Sequence, residues 1–361
     1  MTTFDRHIIR RLVQSYVFLV GALIVFFIVL HYVESIDDFM DRGATMKDVF
    51  FVYYLNYIPE IVRLTSPLAI FLACVYLTGK LAQKLQLAAL QTGGVSLYRI
   101  LAPYLFVALT LTGTMIWFNG FVVPKTNQVV LDFEKKYLKD APRQIDLNDI
   151  HRQNRPGSII TVGYFDRETN RAFRVSLEQF DRADHLHSRI DSYEMSWIDS
   201  LGVWRLKEPV IRIFDENGRE RRSTAPRLDT LLQIYPRDFA RTERDVESMT
   251  IPVAAAYVDQ LRRSGAGNLG RTLVEYYAKF SYPFANLILV LIGVPLAAVR
   301  RRGGQAVRMG LGLLTAFAYL ATQKLTEPFG FSGELDPVLA AWLPHVLFFG
   351  LALFMLWRVR K

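Results

Sequence analysis

The chain has 361 residues, of which 51% are hydrophobic and only 21% charged, a balance that argues against two or three ordinary soluble domains. Its net charge of +9 is not the footprint of a nucleic-acid binder: residues 125–263 hold 24 Lys/Arg against 23 Asp/Glu, so the surplus sits in short clusters beside apolar runs, where topology determinants belong. The single cysteine, Cys74, lies inside an apolar run and excludes an intrachain disulfide and a multi-cysteine metal site.

A basic segment with Arg6, Arg10 and Arg11 opens the chain. Residues 12–32 follow without an acidic or strongly basic side chain. A bilayer core about 30 Å thick is crossed by roughly 20 apolar helical residues, so this is the first predicted span. It is long and has no small-residue cleavage site before Glu34, which sets it apart from a signal peptide. An acidic stretch comes next, with Glu34, Asp37, Asp38, Asp41 and Asp48. The second span lies within residues 49–79, with 64–78 its most membrane-like part. Pro59 and Pro67 make it irregular, and Glu60 and Arg63 sit between them. A connection over residues 79–98 carries Lys80 and Lys84 and no acid. The third span is predicted over 100–123, stopping at Pro124.

The middle of the chain changes period. Residues 158–164, 173–180, 186–198 and 203–214 alternate as strands do, with turn residues between them. Residues 166–170 and Asn217-Gly218 are candidate hairpin turns. At least five short strands without intervening helices imply a small sandwich or jelly roll. Residues 252–264 read as a helix, with Pro252 near its start and Gly265 beyond its end. Three further spans follow, over 273–299, 309–325 and 338–357. A basic run, Arg300-Arg301-Arg302 with Arg308, separates the first two, and a polar turn over 326–337 separates the last two. Arg358, Arg360 and Lys361 end the chain.

The predicted fold is therefore an α-helical integral membrane protein with six transmembrane helices, three on each side of an inserted β domain. Its expected parts are residues 1–124, 125–265 and 266–361. All four basic clusters agree with one orientation, in which both termini are cytoplasmic and the β domain lies outside.

The segment best suited to a partner is the 80–96 connection. Leu81, Leu85, Ala88 and Ala89 fall near one helical stripe, Gln83, Gln86 and Gln91 lie elsewhere, and Gly93-Gly94 ends the helix. Such a helix docks in a partner's groove or lies among lipid headgroups, and the pattern leaves both open. Glu60 and Arg63, three apart in an apolar region, read as an internal ion pair or a functional site. Glu275 and Lys279 read as an i,i+4 helix pair. His185 and His187 show no ligand spacing. Gly79-Lys80 lacks the upstream glycine and the following Ser/Thr of a P-loop, and no nucleophile elbow occurs, so the chain reads as non-enzymatic.

The stretch from Leu85 to Arg99, Leu-Gln-Leu-Ala-Ala-Leu-Gln-Thr-Gly-Gly-Val-Ser-Leu-Tyr-Arg, resembles the coupling-helix region of LptF/LptG-type permeases of the lipopolysaccharide exporter. Asn119-Gly-Phe-Val-Val-Pro-Lys125 is similar to the same family, as is Tyr282-Pro-Phe-Ala-Asn-Leu-Ile-Leu-Val-Leu-Ile-Gly-Val-Pro-Leu296. The resemblance implies an inner-membrane permease that pairs with a second permease chain. It implies a cytoplasmic ATPase dimer docked on the coupling helices, and lipopolysaccharide passed through a periplasmic β-jellyroll toward a periplasmic bridge component. The coupling residues it implies are Leu85, Gln86, Leu87, Ala89, Leu90, Gln91, Gly93, Gly94 and Val95. Gln86 stands where the family commonly has an acid, so a charge-assisted contact is absent or replaced by an amide hydrogen bond. The lipid path it implies runs along Phe18, Phe26 and Phe27 to Lys125, Lys135 and Lys136, with Lys139 beyond. A solvated helix face is the alternative for these lysines, because Asp132 and Glu134 lie among them. No cofactor is expected in the chain. An ion-coupled secondary transporter and a membrane-anchored scaffold are the competing classes.

Overall fold

Where lipid replaces water every backbone N–H and C=O needs an internal partner, so the long apolar runs form helices. The computed structural model describes residues 2–138, 148–167, 169–181, 185–215, 219–239, 245–264, 269–298 and 304–358. The chain divides into a helical unit (Met1–Ala141, Val246–Pro252 and Gly270–Lys361) and a β unit (Pro142–Asp245 and Val253–Leu269). The Asn217-Gly218 turn, the 300–302 basic run, Gly265, Arg360 and Lys361 lie outside the described residues.

Helix α1 (Thr3–Asp41) opens with a capping box: the Thr2 hydroxyl accepts from the Asp5 N–H, and the Asp5 carboxylate accepts from the Thr2 N–H. Helix α2 (Met46–Gln83) follows, then the short α3 (Gln86–Thr92) and the long α4 (Leu97–Tyr137). These four, together with the eight strands, precede α5 (Ile251–Arg263), α6 (Gly270–Ser281), α7 (Phe284–Ala298), α8 (Gly304–Ser332) and α9 (Pro337–Arg358). Helices α1, α2, α4 and α9 are each long and apolar enough to cross a membrane, and the bent pair α6–α7 makes a fifth candidate. Helix α8 has the length, 29 residues, but Arg308, Gln323 and Lys324 dilute its apolar run.

Helix α2 is the hub. Two thirds (67%) of its most apolar stretch is buried, against 11% for α1. It packs against α1, α7 and α8, while α7 also meets α4 and α9. Phe71 and Cys74 of α2, Tyr104 of α4, Ile292 of α7 and Tyr319 of α8 share one apolar core.

Three predicted boundaries differ from the structure. The third helix does not stop at Pro124 but continues to Tyr137. A π-helical turn, Phe118–Val122, precedes the proline, so the missing N–H falls where the α-helical bonding pattern is being reset. The polar turn predicted from Thr326 is helical through Ser332 despite Pro328, and the chain turns only at Gly333 (φ 84°). The fourth predicted span is broken: α6 and α7 meet at 54° across Tyr282-Pro283. Pro283 cannot donate to the carbonyl of Lys279, and the Asn119 amide donates to that carbonyl instead, at 2.9 Å.

Among the described residues the β unit forms one antiparallel, eight-stranded sheet: β1 (Asn148–Arg155), β2 (Ser158–Asp166), β3 (Arg171–Phe180), β4 (Leu186–Ile198), β5 (Val203–Lys207), β6 (Val210–Phe214), β7 (Glu220–Thr224) and β8 (Arg227–Thr230). The order is β1-β2-β3-β4-β5-β8, with β6 paired to β4 and β7. The single strand predicted over 203–214 is two, broken at Glu208 (φ 47°) and Pro209. Each half pairs with a different part of the long β4, so the sheet branches there. Ile160, Val162, Val175, Met195, Trp204 and Leu206 build its core. Trp204 is fully buried and donates from Nε1 to the Ile234 carbonyl at 2.7 Å. Across β5 and β8 the Arg205 guanidinium forks onto Asp229 at 2.7 and 2.8 Å, and that hydrogen bonding holds the Asp229 carboxyl below the usual carboxylate range. A depressed folded-state pKa stabilises above the unfolded value and is lost as pH falls through the folded one. With both side chains about a third exposed the effect is small.

Candidate functional site

The 80–96 connection is a short helix held between two left-handed residues. Helix α2 ends at Gln83, and Leu85 adopts φ 58°, a conformation that costs a branched side chain and redirects the backbone. Helix α3 then runs seven residues. At its other end Gly94 (φ 83°) closes a Schellman motif: its N–H donates to Gln91 O at 3.0 Å, and the Val95 N–H donates to Leu90 O at 2.9 Å. Only glycine takes that φ without strain, which is the physical reason for the Gly-Gly stop.

The break at Leu85 resets the helical phase, so the predicted stripe is split. Leu81 belongs to α2 and is buried, whereas Leu85, Ala88 and Ala89 are exposed. The inward side of α3 is Leu87, with Leu90 and Val95 partly buried on the same core as Ile8, Leu97 and Ile100. The outward side presents Leu85, Gln86, Ala88, Ala89 and Gln91, followed by the exposed Gly93 and Gly94. It is a small, smooth surface free of charge.

Beside this segment lies an ion pair that local pattern did not announce. Arg99 Nη1 and Nη2 donate to the two oxygens of Asp5, each at 2.8 Å, and Asp5 is 5% exposed. Its one sequence trace is the capping box at Thr2–Asp5, which marks Asp5 as ordered but names no partner.

Farther along the helical unit is a charged cavity of about 200 Å³, lined by Glu60, Arg63, Asn127, Glu247, Lys279 and Gln323 among others. Glu60 and Arg63 form the internal pair: Arg63 Nε donates to Glu60 Oε2 at 2.9 Å and Nη2 pairs with Oε1. Asn127 Nδ2 donates to the same carboxylate at 3.3 Å, and Arg63 stacks over the Tyr282 ring at 5.2 Å. The predicted Glu275–Lys279 pair is replaced by Arg271–Glu275 at 3.1 Å, since Arg271 lies one turn earlier on the same face. That leaves the Lys279 side chain, 6% exposed, against the cavity. Asn127 Oδ1 and Gln323 Oε1 are buried there without a hydrogen-bond partner, which suits a hydrated chamber.

Three aromatic side chains in the middle of α1 face outward: Phe18 is 74% exposed, Phe26 59% and Phe27 37%. Lys125, Lys135 and Lys136 lie on the last turns of α4. Lys125 is exposed, Lys135 pairs with Asp132 at 3.0 Å, and Lys136 sits 4.7 Å from the Tyr137 ring centroid. Lys139 lies outside the described residues.

Comparison with known proteins bears on all of these segments at once. A sequence model described as lipopolysaccharide export system permease LptF/LptG matches residues 6–358. The chain is 19% identical over 352 residues to the lipopolysaccharide export system permease protein LptG of Escherichia coli K12, covering 90% of this chain and 91% of that protein. It is 21% identical over 368 residues to LptF of the same strain, covering 98% and 94%. The LptF protein of Shigella flexneri matches to the same extent.

Proposed function

This chain belongs to the lipopolysaccharide export system permease family LptF/LptG, and on that premise we propose that it is a transmembrane subunit of an ATP-driven exporter in the inner membrane. It extracts lipopolysaccharide and passes it through its β unit, as a periplasmic jellyroll, toward the outer membrane. Six spans serve this role: α1, α2, α4, the bent pair α6–α7, α8 and α9. The partners are a second LptF/LptG-type permease, a periplasmic bridge component and a cytoplasmic ATPase dimer. The chain itself takes no cofactor.

The observation that carries the reading is α3. A seven-residue helix bounded by two left-handed residues, resting on its own core through Leu87 and Leu90, is a rigid knob. Its outward Ala88 and Ala89 let another protein's backbone approach closely, and Gln86 and Gln91 supply neutral hydrogen bonds at the edge. A motor docked there pushes on α2 and α4 through the two flanking joints.

The test is reconstitution of the permease with its co-purifying ATPase in proteoliposomes containing lipopolysaccharide. Photo-crosslinkers at Phe18 and Phe26 are expected to capture lipopolysaccharide, because both side chains present wide apolar area outside the helical core. No crosslink anywhere along α1 would remove it from the lipid path. The charged cavity around Lys279 is what an ion-coupled transporter would use. Transport by the permease alone, driven by an imposed proton gradient without ATP, would replace the exporter reading.

Orientation is tested by labelling. In a Cys74→Ser background, Tyr193→Cys is expected to react with an impermeant thiol reagent in cells with a permeabilised outer membrane, and Gln91→Cys is not. Tyr193 is 76% exposed and Gln91 is also exposed, so reactivity reports the side of the membrane rather than burial. The opposite pattern would invert the topology.

A further inference from the structure

Arg99 is in an unfavourable place for a cation. Ser96 caps α4, its hydroxyl accepting from the Arg99 N–H at 3.3 Å, so Arg99 lies in the first helical turn, where the macrodipole disfavours positive charge. Local helix chemistry therefore does not account for it, and Asp5 does. The Asp5 carboxylate takes both guanidinium donors at 2.8 Å and the Thr2 N–H at 2.8 Å, so three donors hold it in one orientation. This planar fork resists both twisting and sliding, unlike a point contact.

What the fork joins is specific. On one side is the start of α4, reached from α3 through Gly94, Val95 and Ser96. On the other is the first turn of α1, whose apolar stretch is 11% buried, less than those of α2, α4 and α9. Ile8 and Leu12 of α1, Leu87 of α3 and Leu97 and Ile100 of α4 belong to one apolar cluster, which makes the inner end of α1 and the 86–99 segment neighbours. To that packing the forked ion pair adds a directional tie that fixes one orientation of the two segments.

We propose that the Asp5–Arg99 pair is a clamp that couples the 86–99 segment to α1, with Asp5 and Arg99 as positioning residues for export. The inference rests on the exporter reading, in which a motor displaces α3 and α1 borders the lipid path. With the clamp intact, displacement of the start of α4 carries α1 with it. With the clamp open, α3 moves and α1 stays, and hydrolysis continues without productive movement of lipid.

The experiment is the reconstituted exporter, read as lipopolysaccharide released per ATP hydrolysed, with bound ATPase and thermal stability measured on the same preparations. Asp5→Asn and Arg99→Gln are each expected to retain the ATPase and hydrolyse ATP within about twofold of wild type, while release per ATP falls about tenfold, in the range of ordinary coupling energies. The exchange Asp5→Arg with Arg99→Asp is expected to restore at least half of the lost ratio, and a thermal stability unchanged in the single variants sets the loss apart from a merely structural one. An unchanged ratio in the single variants overturns the clamp, as does a loss that tracks lost ATPase or one the exchange leaves unrepaired. Should the single variants fail to fold, Arg99→Lys decides: it keeps the charge without the fork, and the ratio is expected to fall about threefold. An unchanged ratio there overturns the proposal. Wild-type protein in parallel separates the two readings. Absent extraction there sinks the exporter reading and the clamp with it, whereas normal extraction with unaffected variants sinks the clamp alone.

Discussion

Ala89→Asp is expected to abolish co-purification of the ATPase while the permease still inserts and folds. Ala89 lies on the exposed side of α3, so its replacement disturbs nothing in the chain's own core. In a docked groove the new carboxylate would be buried without a partner, at a cost of several kcal/mol. About 3 kcal/mol already weakens a contact roughly a hundredfold, which takes a micromolar complex out of reach of detergent purification. Leu90→Asp is the instructive contrast. Leu90 packs against the core shared with α1 and α4, so an acid there unsettles the helical unit itself and its loss of ATPase would say nothing about docking. Gln86→Glu, exposed and uncrowded, is expected to bind at least as well as wild type if the motor presents a cation. Recovery of ATPase at the wild-type level with Ala89→Asp would remove α3 from the interface.

Trp204→Ala is expected to unfold the β unit. Trp204 is fully buried, packed within 6.4 Å of the Phe165, Trp197 and Phe239 ring centroids, and it satisfies the Ile234 carbonyl. Losing so large a side chain costs about 3–5 kcal/mol in transfer and cavity terms. The carbonyl left without its donor adds about 1–3 kcal/mol. Most small domains hold only about 5–15 kcal/mol in reserve. Cleavage of the β unit in detergent-solubilised protein should therefore accelerate by roughly a hundredfold or more, since protease access follows the open population. Trp204→Phe keeps most of the packing and loses the donor, so its effect should fall between the two. A protease half-life unchanged by Trp204→Ala would mean that the β core does not depend on this ring.

That the 80–96 connection ends at Gly93-Gly94 was legible, because a left-handed helix stop is a property of the glycine itself. Which of its side chains face outward was not legible. One residue, Leu85, turns the backbone by adopting φ 58°, and a periodicity carried through that residue assigns Leu81 and Ala89 to one face when they lie on two. The strand pattern was readable where side chains alternate, as in β2, β3 and β4. The polar β1, Asn148–Arg155, and the fully exposed β7 carry no alternation of their own, and they are strands because β2 and β6 offer them a hydrogen-bonding edge.

By itself the sequence determined what depends on near neighbours: the long apolar helices, the basic clusters between them and the alternating strands of the middle. These follow from transfer energies and backbone preferences that act within a few residues. Only the tertiary structure decided where proline stops a helix and where it does not. Pro124 and Pro328 are absorbed, while Pro283 breaks the chain by 54° because the Asn119 amide, 160 residues away, takes the carbonyl the proline cannot use. It likewise decided that Glu275 meets Arg271, that Lys279 faces a cavity, and that Asp5 and Arg99, 94 residues apart, share one fork. A polar group in an apolar surround bonds to whatever donor or acceptor the fold brings within 3 Å, and no local pattern carries that address.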